Sequence, residues 1–196
     1  MFLKNLEKYK IILASKSPRR QNLLKELGVD FEIVENNNVD EVYPEDLTKH
    51  DIPVFLAEKK AQGLFSKITG NELIITSDTI VLFNNEVIEK PVDYNDAVKM
   101  LNKLSGNKHT VVSGVCITTK QKQVSFSADT DVYFNHLTDD EIKYYIDNFK
   151  PFDKAGAYGI QEWIGFIGVE KIEGSYFNVM GLPVQKLYAE LLKFKK

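Results

Sequence analysis

"KIILASKSPRRQNLLKELG", residues 10–28, decides the fold class, because it reads as a buried strand that runs straight into a helix. The apolar run over residues 10–15 suits a strand covered on both faces. Ser17 is a good N-cap, Pro18 suits the first helical position, Leu23, Leu24 and Leu27 make an apolar stripe, and Gly28 suits the C′ position. The first turn of that helix carries Arg19 and Arg20. A helix N-terminus already bears roughly half a positive charge, so each cation there costs about a few tenths of a kcal/mol. Either both arginines point into solvent, where screening makes the cost small, or an anion sits on the helix N-terminus. In the second case free backbone N–H groups, the guanidinium forks and the hydroxyls of Ser15 and Ser17 meet it together.

Outward from this unit, strands and helices alternate. "FEIVE" (31–35) alternates as a half-buried strand, and residues 53–68 place Val54, Ala57, Ala61, Leu64, Phe65 and Ile68 at helical spacing. "ELIITSDTIVLF" (72–83) reads as two strand segments around a polar centre, with Asn84-Asn85 turning the chain into "EVIEKP" (86–91) as a hairpin. Asp93 offers an N-cap for a helix ended at Gly106. Residues 109–119 and 123–134 follow as long strands paired through a turn. Thr138 with Glu141 forms a capping box, flanked by Leu137 and Ile142 at the staple positions. From Pro151 glycines recur among aromatic and β-branched residues, a texture of strands and tight loops, until Pro183 opens a last amphipathic helix. Helix-linked and hairpin-linked strands together predict an α/β fold with a mixed central sheet flanked by helices.

The 196 residues suffice for one domain, 1–196, or two lobes sharing a sheet. With 27% charged residues and a formal net charge of -3, no bulk basic surface speaks for nucleic acid as a partner. No apolar run approaches a membrane span of roughly 20 residues, and "MFLKNLEKYK" does not read as a signal peptide. A cytoplasmic protein is expected. The single Cys116 reads as a small buried hydrophobe, and the three histidines lack ligand spacing, which leaves a zinc site or a histidine triad without support.

The chemistry is carried by a few polar interruptions. Asp78 stands inside an apolar strand-like run, where a carboxylate has to be hydrogen-bonded, paired or bound to metal, or hold a turn. Lys90 lies beside Pro91, and "FDKAGAYGIQ" (152–161) packs a charged pair, two glycines and an amide into ten residues. Arginines at a helix start, Lys60 and Lys90, and the carboxylates of Glu41 and Asp78 form an inventory suited to a polyphosphate with a divalent cation.

Taken in order, "ASKSPRR", "SDT", "EKP", "LSGNKHTVVSGV", "DKAGAYGIQ" and "IEGSYFNVMGLP" resemble the Maf family of nucleotide pyrophosphatases, from Ile11 to about Leu192. That resemblance implies two lobes with a cleft, a fold like that of the inosine triphosphate pyrophosphatases, and a homodimer. It implies hydrolysis of nucleoside triphosphates to the monophosphate and pyrophosphate with Mg²⁺ or Mn²⁺. Carried over position by position, Asp78 matches the catalytic carboxylate and Ser15, Arg20, Lys60 and Lys90 the phosphate-handling groups. Glu41, with Asp78, matches the acidic positions near the metal. Arg19, Thr79 and Gln161 match positions that sort the family's substrates, and resemble the dTTP and UTP group, with modified uridine triphosphates as further candidates. A uracil or thymine edge offers two carbonyls around one N–H, which the amide of Gln161 can meet with one donor and one acceptor. The sequence departs from the family pattern in "SDT", in "EKKA", with Lys59 where many relatives have Glu, and in "GIQE", where many have "GIQG". Two other readings stand beside this one: a nucleotide-binding regulator of septum formation, and a purine pyrophosphatase acting on ITP or XTP.

Overall fold

The computed structural model describes residues 3–35 and 39–194. Strand β1 (Lys10–Leu13) leads into helix α1 (Pro18–Glu26), and the short edge strand β2 (Glu32–Ile33) pairs with β1 in parallel. Helix α2 (Ile52–Gln62) then crosses to β3 (Glu72–Phe83), which pairs with the other side of β1, also in parallel, with Ile12 opposite Ile74. The two helical crossovers explain these parallel neighbours.

A tight turn at Asn84 and Asn85, with φ of 49° and 62°, returns β3 into the antiparallel strand β4 (Glu86–Ile88). Two consecutive left-handed residues are the signature of a type I′ hairpin, and asparagine tolerates them better than most. Helix α3 (Tyr94–Leu104) is capped by Asp93, whose carboxylate accepts from the Asp96 amide at 2.8 Å. Strands β5 (Lys108–Thr118) and β6 (Gln123–Phe134) lie side by side, joined through a turn in which the Thr119 amide donates to the Lys122 carbonyl at 2.8 Å. Helix α4 (Asp139–Phe149) begins with the full Thr138–Glu141 capping box. After it come two short helices, α5 (Trp163–Gly168) and α6 (Tyr176–Val179), with the antiparallel strand β7 (Val169–Glu173) between them, and finally α7 (Val184–Leu191). The sheet order is β2-β1-β3-β5-β6-β7, with β4 beside β3, which makes a mixed α/β sheet of seven strands.

Four sequence expectations change. β3 is one continuous strand of 12 residues, because each side chain of its polar centre finds a partner and the ladder need not break. α2 stops at Gly63, with only a single 3₁₀ turn over Phe65–Lys67 beyond it. β2 is short and both its residues are exposed, Ile33 by 50%, so it is not half-buried. The glycine-rich region after Pro151 holds one strand and two short helices where several strands were expected.

The described chain divides into two compact units. The first comprises residues 1–78, 113–128 and 181–196, and the second 79–112 and 129–180. The core of the second is built from Val81, Leu101, Leu104, Val132, Ile146 and their neighbours. In the first, Ile12, Ala14, Leu64, Ile68 and Ile74 pack together, as do Ala57, Ala61 and Cys116.

Candidate active site

In the first unit, the site grows from the polar triplet of β3. Thr76 Oγ1 donates to the Ala57 carbonyl of α2 at 2.7 Å, which ties helix to strand. The two can approach closely because small residues line the contact: Ala57, Ala61 and Cys116 pack together. Gly114 of β5 lies so near α2 that a Cβ there would stand 2.2 Å from the Pro53 carbonyl carbon. This packing brings Lys60, in the last turn of α2, over Asp78. Lys60 Nζ donates to Asp78 Oδ1 at 2.6 Å and pairs with Glu41 Oε1 at 2.7 Å. Lys60 and Asp78 are both largely buried, with side chains 15% and 12% exposed, whereas Glu41 is half exposed. Their pairing therefore feels less solvent screening than a surface ion pair. Lys59, the departure in "EKKA", donates from Nζ to the Val42 carbonyl at 2.9 Å and so tethers the loop that carries Glu41.

Arg20 answers the question posed by the first turn of α1. Its Nε donates to the Gly181 carbonyl and its Nη1 to the Ser77 carbonyl, both at 2.8 Å. The guanidinium is thus fastened beside Asp78 by the residue before it in β3. Burial lowers the pKa of Arg20, and the charges of Asp78 and Glu41 act in the opposite direction. Ser17 caps the helix, its hydroxyl accepting from the Arg20 amide at 3.5 Å, and Ser15 Oγ accepts from the Ser17 amide at 3.3 Å. Arg19 is half-buried in the same first turn. Arg20, Lys60, Asp78 and Glu41 are therefore brought together, with Ser15 at the head of α1.

Two carboxylates converging on one Lys60 ammonium mark a position where positive charge is favoured. No group of three or more His, Cys, Asp or Glu side chains able to hold a metal occurs among the described residues. That donor set suits Mg²⁺, or the similarly oxygen-seeking Mn²⁺, which take one or two carboxylates and complete their shells with water and substrate phosphates. It does not suit an ion held by protein ligands alone.

The remaining sequence candidates belong to the second unit. Thr79 follows Asp78 in β3 and is half-buried. Lys90 is exposed in the segment after β4, whose path is fixed by the Gly156 amide donating to the Glu89 carbonyl at 3.0 Å. Gly156 adopts φ 71°, a left-handed conformation that glycine takes at little cost. Gln161 is half-buried, and its Oε1 is buried with no hydrogen-bond partner. Leaving a buried acceptor without a donor costs about 1–3 kcal/mol.

In the sequence the "DK" of the glycine loop reads only as a charged pair. The structure buries Lys154 to 7% exposure, where it pairs with Asp153 at 2.7 Å and with Glu162 at 3.2 Å. Glu162 also accepts from the Tyr145 hydroxyl, which itself accepts from the Gly159 amide at 3.0 Å. The glutamate that breaks the expected "GIQG" was the available signal for this network.

With this constellation in place, the match to known proteins is direct: the family described as Maf-like protein matches residues 10–194. The chain belongs to the Maf family. A Bacteroides fragilis (strain YCH46) protein named dTTP/UTP pyrophosphatase is 55% identical over 189 residues, 96% of this chain and 98% of its own length. A Phocaeicola vulgatus protein of the same name is 56% identical over 191 residues, covering 97% of this chain and 99% of that one. A solved HAM1 protein from Coxiella burnetii aligns over 94% of this chain and 99% of its own, at 12% identity and a TM-score of 0.48.

Proposed function

We propose that this Maf chain is a nucleoside triphosphate pyrophosphatase that hydrolyses dTTP and UTP, with modified uridine triphosphates as further substrates, to the monophosphate and pyrophosphate. The observation that carries the reading is the cluster of Asp78, Lys60, Glu41 and Arg20 at the head of α1. The name shared by full-length relatives supports the choice of pyrimidine substrates.

In this reading Asp78 accepts a proton from water as the water oxygen bonds to the α-phosphorus and the bond from that phosphorus to the bridging oxygen breaks. The electron pair leaves with pyrophosphate. Arg20 and Lys60 neutralise the charge that moves onto it, with Ser15 and Lys90 as further phosphate donors; phosphoryl chemistry needs chiefly such positioning and charge stabilisation. Asp78 and Glu41 would hold a divalent cation, Mg²⁺ or Mn²⁺, which when bound polarises phosphate oxygens and offsets their charge. Gln161 reads the keto edge of the base, its orphaned Oε1 accepting from the ring N–H, while Arg19 and Thr79 complete the discrimination. A cytoplasmic homodimer without nucleic-acid or membrane partners belongs to the same proposal. The net charge of -3 supports only the part that concerns nucleic acid, and among the described residues no helix is long and apolar enough to cross a membrane.

A panel of triphosphates with Mg²⁺ or Mn²⁺, scored for pyrophosphate against orthophosphate, tests the proposal. The expected result is pyrophosphate from UTP and dTTP well ahead of CTP, ITP and XTP. Preferred turnover of ITP, or tight nucleotide binding without turnover, would overturn it.

A further inference from the structure

Gln161 does not sit on its loop alone. Gly159 has no side chain, and a Cβ built there would lie 2.9 Å from Glu162 Cδ and 3.1 Å from Gln161 Nε2. The glutamine amide and the glutamate carboxylate therefore lie over the same glycine. Glu162 is fixed three ways: its amide donates to the Gly159 carbonyl at 2.9 Å, its carboxylate accepts from Tyr145, and it pairs with buried Lys154. Tyr145 is fully buried on α4, its ring stacked on Phe149, and its hydroxyl both donates to Glu162 and accepts from the Gly159 amide. The hydroxyl thus closes a small ring, from Gly159 to Tyr145 to Glu162 and back to Gly159.

This ring is more than is needed to hold a turn. Charged and phenolic groups are costly to bury, and Lys154 already has Asp153 as a partner. What the network does accomplish is to hold the Glu162 carboxylate on the same face of Gly159 where the Gln161 amide nitrogen rests, which limits how that amide can turn, while its carbonyl oxygen stays buried with no hydrogen-bond partner. An amide free to rotate would present its NH₂ or its carbonyl to a base edge with equal ease and would read neither pattern.

We infer that Tyr145 and Glu162 are positioning residues for base discrimination, which fix the orientation of the Gln161 amide so that it presents an acceptor to the pyrimidine N–H. The inference rests on the proposed reading of Gln161. Neither residue touches the substrate; each acts through Gln161.

The test compares kcat and KM for UTP and CTP in the wild type and in Tyr145→Phe, Glu162→Ala and Glu162→Gln, with thermal melting of each. Tyr145→Phe keeps the stacked ring, and Glu162→Gln keeps an acceptor for the Tyr145 hydroxyl while Asp153 still pairs Lys154. In Tyr145→Phe and Glu162→Ala the preference for UTP over CTP in kcat/KM is expected to narrow about tenfold, the worth of one well-placed hydrogen bond. The change should lie in KM, with kcat within about twofold of the wild type, because ground-state and transition-state binding are lost together. Glu162→Gln is expected to retain the wild-type preference. An unchanged preference in Tyr145→Phe and Glu162→Ala, whatever happens to melting, would reduce the network to a structural clamp and overturn the inference. Failure of Glu162→Gln to retain the preference would also overturn it, by assigning the effect to charge. A wild type without preference between UTP and CTP would instead sink the reading of Gln161 itself.

Discussion

Arg20 illustrates how a single side chain can be both scaffold and tool. From the sequence, removing a cation from the positive end of a helix should relieve repulsion and leave stability unchanged or improved. The structure reverses that expectation, since two of the guanidinium donors hold the carbonyls of Ser77 and Gly181. Arg20→Ala is expected to lower stability by about 2–4 kcal/mol, the worth of charged hydrogen bonds lost from the carbonyls of two buried residues, against about a few tenths regained from the helix dipole. Melting and activity per folded molecule should both fall; an unchanged melting temperature would contradict the anchoring role. Asp78→Asn is expected to fold, because an amide can still accept from Lys60, yet to lose about 10²- to 10⁴-fold in turnover, the usual worth of a general base. Retention of more than about a tenth of the activity would remove Asp78 from that role. His109 makes a different prediction. It is buried against Phe134 and Tyr158, with Nε2 2.7 Å from the Tyr158 hydroxyl, and burial pushes its pKa down to about 4 despite the opposing charge of Asp131. The unfolded chain takes up this proton near the ordinary value of 6.5, whereas the folded chain refuses it until about pH 4. Stability is therefore full above about pH 6.5 and is lost as pH falls towards 4, by about 3 kcal/mol from this group. Imidazole resonances of His109 that titrate near pH 6.5 in the folded protein would contradict its buried, neutral state.

At the scale of elements, the site depends on how closely α2 approaches the sheet. Gly114→Ala would press a Cβ to within 2.3 Å of the Pro53 carbonyl oxygen and the Val54 amide nitrogen, backbone atoms that cannot rotate away. The helix has to move, and Lys60 moves with it. Overpacking of this kind costs about 1–3 kcal/mol, and a denaturant titration should show it together with a fall in turnover. A variant of full stability and activity would show that the approach is not needed. The sequence made most elements legible where local chemistry is strong. Ser17 and Pro18 start α1, Asp93 starts α3, Thr138 and Glu141 start α4, and the asparagine pair turns β3 into β4. It failed where tertiary partners decide. The polar centre of β3 reads as a break until Ala57, Gly181 and Lys60 supply its hydrogen bonds. The region after Pro151 reads as strands because glycine and aromatic residues signal close packing without saying which backbone they pack upon.

For the whole molecule, strands β3, β5 and β6 each run through residues of both compact units. The separate signals in the sequence, two arginines at a helix start, one aspartate in an apolar strand and two lysines, gained meaning only as a set. The pairing of Lys60 with both Asp78 and Glu41 could not be read from spacing, since 19 residues separate Lys60 from Glu41 and 18 separate it from Asp78. The central claim is that water attacks the α-phosphorus of a pyrimidine triphosphate at this cluster. Hydrolysis of UTP in heavy-oxygen water, followed by phosphorus NMR and mass spectrometry of the products, tests it most directly. The heavy oxygen is expected in the uridine monophosphate, with unlabelled pyrophosphate as the other product; label in the pyrophosphate, or release of orthophosphate in its place, would contradict the account.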